Sequence, residues 1–437
     1  MTAQQEQIAA AHRHTRTGIF YGWWIAVACC AITFVGAGVG VYGPAVFIKA
    51  LQDEHGWSVG AISLATTCYF LAGGVSGIFV GRWLDTHGPR GLFAVTAVVM
   101  AAALLLIGRI TSLWQLFPAY LLMAPAMSGL SNIPVTWLLT RWFVRRRAQA
   151  MSIAMSGISI GGMLLVPISV AIVDRWGLGA ATLVLALLVL ALVLPMTAFV
   201  IRSDPAEMGL GPDGDPRTET KQAIRFTMPP TEWTRSAAMH TRTFWVLVVA
   251  FMFGLAAQQA FLLHQLTYLS DRFGGATAST VLSTTAGASI IGRLALGTVS
   301  DRLDKRWMAA ACFAVQGASM LVVLHTSSLP LIYAATLLFG LTMGNSYIML
   351  SLLGAENFGG ASFGAIYGLI TLFVTAGSAF GPLLAGVLAD ASGGYMVPFT
   401  IAGLTGLTMA GLVLGARRPN PPAPFPRKEG GVLAGDG

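Results

Sequence analysis

Charge is what this sequence has least of. Only 10% of its 437 residues are Asp, Glu, Lys or Arg, where a soluble domain carries roughly a quarter, and that shortage excludes a water-facing globular surface. Cysteine is scarcer still: Cys29, Cys30, Cys68 and Cys312 each sit inside an apolar run, so they read as small buried hydrophobes and neither a disulfide framework nor a metal site is expected. The seven histidines are scattered, and His264 alone lies within an apolar run. That leaves no ligand set for a metal and no nucleophile and base pair, so no enzyme and no cofactor are expected. What fills the chain instead is 55% hydrophobic residues, with a mean hydropathy of +0.71.

The apolar residues gather into twelve stretches, near 20–46, 58–82, 91–108, 112–140, 148–173, 178–201, 243–270, 277–300, 307–325, 328–352, 360–389 and 394–416. A helix needs about 20 residues to cross a hydrocarbon core, and most of these reach that length. The expectation is an all-α membrane protein with twelve transmembrane helices. Residues 203–242 form the one long hydrophilic interior segment, DPAEMGLGPDGDP followed by KQAIRFTMPPTEW. It divides the spans into two six-helix bundles, 19–202 and 243–416. Residues 1–18 read as a polar tail rather than a cleaved signal peptide, and the proline-rich 417–437 as a second, disordered tail.

Orientation follows from the positive charges. With the N-terminus inside, all but five of the 26 lysines and arginines fall on the cytoplasmic side; Lys49, Arg109, Arg175 and Arg272 lie outside and Arg293 is within a span. The net charge of +8 is therefore read as orientation against anionic lipid and not as nucleic-acid binding. Both termini are expected in the cytoplasm.

An internal repeat supports the division into halves. The loop after the second span reads GRWLDTHGPRG (81–91) and the loop after the eighth reads GTVSDRLDKRW (297–307). Gly81 and Asp85 return as Gly297 and Asp301, 216 residues later, each followed by basic residues. Duplicated halves around a midplane site are a common plan for secondary transporters. Asp85, Arg90, Asp301 and Arg302 are the expected gate at the inner mouth; the competing reading is a charged turn with aspartate as a helix cap.

Arg293 stands inside the apolar run LSTTAGASIIGRLALGTVS. A cation there is costly unless it faces a cavity, a partner or a substrate, so Arg293 is the leading candidate for holding an anion; a structural ion pair and snorkelling to the inner surface are the alternatives. Ser289 and Thr285 precede it by four and eight residues, on the same helical face, where they line a cavity or bond back to helix carbonyls. In the seventh span His264, beside Gln265 and Tyr268, is a candidate for proton coupling or a second anion contact, against a neutral histidine bonded to a neighbouring helix. Asn132, Asn345 and Tyr367 offer neutral hydrogen bonds to a ligand or between helices. The glycine-rich SGISIGG (156–162) and FGLTMGN (339–345) read as close helix packing.

These motifs carry a resemblance. The form of Gly81, Asp85, Gly88 and Arg90 is similar to the signature loop of the major facilitator superfamily. Within it, YGWW (21–24), YGPAVFIKAL (42–51), DPAEMGLGPDG (204–214) and GRLALG (292–297) resemble bacterial monocarboxylate transporters and the related oxalate/formate antiporter group. The resemblance implies the major facilitator fold and a substrate-carboxylate role for Arg293 followed by Gly297. It also places Tyr42 where the family has a lysine of the first helix, making Tyr42 a cavity candidate. Ser289 stands where the mammalian members have an acidic residue, so proton coupling does not carry over by position. The function expected is secondary transport of a small monocarboxylate, lactate or pyruvate in kind, with a proton by alternating access. Exchange of anions, or export of a larger or aromatic acid, is the alternative. The partners expected are a small organic anion, H+ and the lipid bilayer, with a functional monomer. A channel lacks a continuous polar lining here.

Overall fold

Long helices account for nearly all of the described chain, in a computed structural model that describes residues 20–214, 233–299, 303–358, 363–417 and 419. In order they are α1 (Gly22–Gly40), α2 (Gly43–His55), α3 (Val59–His87), α4 (Pro89–Ile107), α5 (Leu113–Gly129), α6 (Asn132–Trp142) and α7 (Arg147–Pro195). After the connection follow the short α8 (Arg235–Met239), then α9 (Arg242–Phe273), α10 (Gly275–Val299), α11 (Lys305–His325), α12 (Leu329–Met343), α13 (Ser346–Phe358), α14 (Phe363–Ser392) and α15 (Met396–Val413). Ten segments among the described residues are long and apolar enough to cross a membrane. One of them, Gln149–Val200, contains Gly177 at φ 78° and ψ 173°, which breaks α7 into two helices. Helix α10, 25 residues long and carrying Arg293, is not among the ten.

Three spans read as continuous in the sequence are broken. Between α1 and α2, Pro44 has no N–H to give to the carbonyl of Gly40. The Tyr69 hydroxyl supplies the missing donor at 2.7 Å, and the Ala37 carbonyl accepts from both Val41 N (2.8 Å) and Tyr42 N (3.0 Å). Between α5 and α6, Pro134 likewise cannot donate to Leu130, and Ser131 caps the new helix by accepting from Ile133 N at 3.2 Å. Between α12 and α13 the break falls at Gly344 and Asn345, 214 residues after the one at Leu130 and Ser131. That spacing nearly matches the offset of the repeated loops.

Close packing follows small residues. Helix α1 lies against α7, where a Cβ at Gly157 would stand 2.1 Å from the Cys30 carbonyl and one at Gly161 2.3 Å from that of Phe34. The helices before the 201–233 connection (the N-terminal set) meet those after it (the C-terminal set) through α3 with α14, α2 with α9, and α7 with α10. Several polar contacts close this seam at one end of the bundle, here called the Lys49 end. Lys49 Nζ lies 2.7 Å from Asp271 and 2.7 Å from Asp53. The Asp390 carboxylate accepts from Val59 N (3.1 Å) and Gly60 N (2.6 Å), and Thr67 donates to the Ala379 carbonyl at 2.9 Å.

At the opposite, Asp304 end, several contacts lie within one set. Arg141 pairs with Asp204 (3.8 Å), Lys305 with Glu356 (3.7 Å), and Trp233 packs edge-on against Phe358. Asp213, at φ 58°, accepts from Val144 N (2.9 Å) and Arg145 N (2.7 Å) ahead of α7. The polar segment after residue 202 thus begins as a strap bound to the N-terminal set.

Candidate functional site

Arg293 lies in the last third of α10, half-buried, with its guanidinium turned toward α7 of the N-terminal set. Its Nε donates to the Ser289 carbonyl at 3.2 Å, and Nη2 donates to Ser159 Oγ and, at 3.3 Å, to Ser289 Oγ. Ser159 and Ser289 are themselves 2.7 Å apart and buried, and Ser289 donates on to the Ala286 carbonyl at 2.7 Å. All these partners are neutral. Among the described residues no carboxylate stands within ion-pair distance of Arg293, so the alternative of a structural ion pair finds no partner there.

The position of α10 is set by contact with α12. A Cβ on Gly292 would fall 1.9 Å from the Leu341 carbonyl, and one on Gly340 2.3 Å from that of Thr285. Asn345 Nδ2 ties the pair by donating to Gly292 O (3.2 Å) and Leu341 O (2.9 Å). Asn345 thus clamps the two helices through Nδ2, while its Oδ1 is buried without a hydrogen-bond partner among the described residues. Thr285 is fully buried and bonds back to the Val281 carbonyl at 3.3 Å, the second of its two expected roles.

Tyr42 faces α7 on the same side of the seam as Ser159. It sits at the break between α1 and α2, 3% exposed, with its ring against Gly162 of α7 and its phenol within electrostatic range of the guanidinium. Asn132 lines a cavity of about 200 Å³ with Val41 beside the same break, Leu130 and Ile158. The breaks in the first and fourth spans thus meet α7 at a cavity lined by the N-terminal set, and Ile158, the chain neighbour of Ser159, is its α7 contact. Tyr367 is half-buried on α14 and hydrogen-bonded to Ser351 of α13.

His264 lies elsewhere. Nine residues from the Lys49 end of α9, against eighteen for Arg293 on α10, it stands about 13 Å from Arg293 along the bundle axis. It is fully buried, with Nε2 2.9 Å from the Pro382 carbonyl and 3.4 Å from Ser63 Oγ, and Nδ1 3.1 Å from the Tyr395 hydroxyl. A carbonyl can only accept, so Nε2 carries the proton and Nδ1 accepts from Tyr395. His264 joins α9, α14, the start of α15 and α3 at the closed end, so a direct anion contact shared with Arg293 is not what the geometry gives.

The gate residues divide similarly. Arg90 donates to the carbonyls of Ala198 (3.0 Å) and Thr197 (3.5 Å), in the π-helical turn Met196–Val200 that follows α7, within its own set and not reaching across the seam. Asp85 is helical, on α3, but its side chain lies outside the described residues, as do Asp301 and Arg302. In the second loop Asp304 caps α11 by accepting from Arg306 N at 2.9 Å, and the Arg306 guanidinium, 2.6 Å away, holds its carboxyl down at about 2. Ser159 was missed in the sequence because SGISIGG reads as packing. Helical spacing separates the two uses: Gly157 and Gly161 face α1, while Ser159 faces α10.

Comparison with known proteins places this architecture. The family model of the Major Facilitator Superfamily matches residues 28–275 and 262–435. Monocarboxylate transporter 12 of Rattus norvegicus is 24% identical over 347 residues, covering 74% of this chain and 69% of that one. Monocarboxylate transporter 13 of Bos taurus is 24% identical over 346 residues, covering 77% and 75%. Among solved structures, the nucleoside transporter NupG superposes with a TM-score of 0.69 at 13% identity, covering 91% of this chain and 99% of that one. A bacterial homolog of the human lysosomal transporter Spinster, inward-facing and unoccupied, gives 0.65 at 15%, covering 91% and 95%. At such identities the structures share the fold alone. The chain belongs to the major facilitator superfamily: it is a multi-pass integral membrane protein that moves small solutes by secondary transport, and it is not an enzyme.

Proposed function

We propose that the protein carries a small monocarboxylate together with a proton across the cytoplasmic membrane of a bacterium, by alternating access of two six-helix halves, 19–202 and 243–416. The observation that carries this reading is Arg293: a half-buried guanidinium whose partners among the described residues are hydroxyls and a carbonyl. Arginine stays charged and offers a planar fork matched to two carboxylate oxygens. Tyr42 at its side is a neutral donor for the same ligand. The names of the relatives, monocarboxylate transporters 12 and 13, favour an acid of that class.

The positive charges put the Asp304 end in the cytoplasm. The seam contacts at the Lys49 end then describe an outer side that is shut. Twelve spans result when α7 counts as two at Gly177 and α10 is added to the remaining segments. His264 is the proton carrier in this reading. Its Nδ1 takes up a proton if the Tyr395 hydroxyl turns from donor to acceptor, which loosens the closed end.

Uptake into proteoliposomes tests the whole. An inward proton gradient should accelerate entry of lactate or a related acid, and the outer medium should become more alkaline. Uptake that leaves the external pH unchanged and requires an internal counter-anion would replace symport by exchange.

A further inference from the structure

The hydroxyl protons around Arg293 can be assigned one by one, and they run in a single direction. Ser289 lies 2.7 Å from the Ala286 carbonyl, which can only accept, so its proton goes there. Ser289 Oγ is then an acceptor, and Ser159, 2.7 Å away, must be the donor to it. Ser159 Oγ in turn accepts from Arg293 Nη2. The chain Arg293 to Ser159 to Ser289 to Ala286 is complete, with both hydroxyl protons used. With Nε given to the Ser289 carbonyl, the guanidinium plane is fixed along one edge. No described residue takes a proton from Nη1, so Nη1, joined by the second Nη2 proton when the long 3.3 Å contact to Ser289 Oγ is released, forms the edge offered to a ligand.

Of these groups, only Ser159 belongs to the N-terminal set. Ser289, Ala286 and Arg293 all travel with α10, whereas Ser159 is fixed on α7, whose Gly157 and Gly161 are in backbone contact with α1. We propose that Ser159 is a positioning residue for the anion site: from the opposite half it aims the Arg293 fork, so that the carboxylate site is complete only while α7 and α10 are in contact at this depth. This rests on the reading of Arg293 as the carboxylate site. It makes affinity for the acid depend on the relative placement of the halves, which is how a carrier ties binding to reorientation.

The test uses the purified full-length protein and two measurements. In the first, wild type, Ser159→Ala and Ser159→Thr are titrated with lactate, pyruvate and benzoate, and with lactamide as a neutral match for lactate. A lost hydrogen bond to a charged group should weaken acid binding about tenfold or more in Ser159→Ala, leave lactamide unchanged, and be restored by the hydroxyl of Ser159→Thr. Equal acid affinity in Ser159→Ala and wild type overturns the proposal, and so does a parallel loss of acid and amide, which marks a packing role. The second measurement is free of ligand: the unfolding midpoints of Ser159→Ala, Arg293→Gln and the double variant form a cycle. If no acid binds the wild type, the monocarboxylate reading fails on its own, and the cycle decides for Ser159. Non-additive shifts uphold the positioning contact, and additive shifts overturn it.

Discussion

Replacing Asp390 by alanine should open the Lys49 end of the seam. The carboxylate accepts from Val59 N at 3.1 Å and Gly60 N at 2.6 Å, the first two backbone donors of α3, while Ser58 Oγ accepts from Ala61 N at 3.2 Å. A helix leaves its first N–H groups without internal partners, so Asp390, from α14 of the C-terminal set, completes the capping of a helix in the other set. Hydrogen bonds to a buried charge contribute about 1.5–3 kcal/mol each. Asp390 is exposed, and water replaces much of that when the bonds break, which brings the pair down to about 1–2 kcal/mol. The population with this end open should therefore rise about 5- to 30-fold. Ser63, buried on the next turn of α3, is the reporter. In a background without the four native cysteines, Ser63→Cys should react with a membrane-impermeant thiol reagent faster by that factor when Asp390→Ala is added, and Asp390→Asn should fall between. An unchanged rate would refute the claim that Asp390 holds this end shut.

Gly292→Ala should disturb both fold and site, since its Cβ would lie 1.9 Å from the Leu341 carbonyl and backbone cannot turn aside. Overpacking of this kind costs about 1–3 kcal/mol, read as a lower unfolding midpoint, and acid affinity should fall as the Asn345 clamp separates. Asp304→Ala should cost about 1 kcal/mol of stability at neutral pH through loss of the α11 cap, without altering acid affinity. Because the folded carboxyl is held down at about 2, below its unfolded value, this contribution is present above the ordinary carboxylate range and is lost as pH falls toward 2. The difference between wild type and Asp304→Ala should thus be constant from pH 5 to 8 and narrow in acid.

Most of the helical plan was legible in the sequence because crossing a membrane imposes length and apolarity on each segment. The stretch near 243–270 became Arg242–Phe273, and that near 307–325 became Lys305–His325. The breaks were harder. Pro44 and Pro134 each remove a backbone donor and so divide the first and fourth spans, whereas the third break falls at Gly344 and Asn345, where no proline stands. Arg293 stood out as a lone cation, and its chemistry could be named from residue type alone. Ser159 could not, since one serine among glycines carries no sign of the helix it faces. His264 shows the converse: a titratable residue conspicuous in sequence whose ring nitrogens are taken up by Pro382 and Tyr395 at the closed end. Arg90 was conspicuous as part of a repeated loop, yet its donors go to the last carbonyls of its own set.

The central claim is that Arg293 binds the carboxylate of the transported acid, and a binding titration of Arg293→Ala tests it most directly. The variant, purified and shown to be folded by its unfolding transition, is titrated with lactate, pyruvate, benzoate and longer monocarboxylates beside the wild type. Removing one partner of a buried charged pair costs about 2–5 kcal/mol, so affinity for the acid that binds wild type should fall at least about thirtyfold, with Arg293→Lys recovering only part through its charge. Wild-type affinity in folded Arg293→Ala would contradict the account.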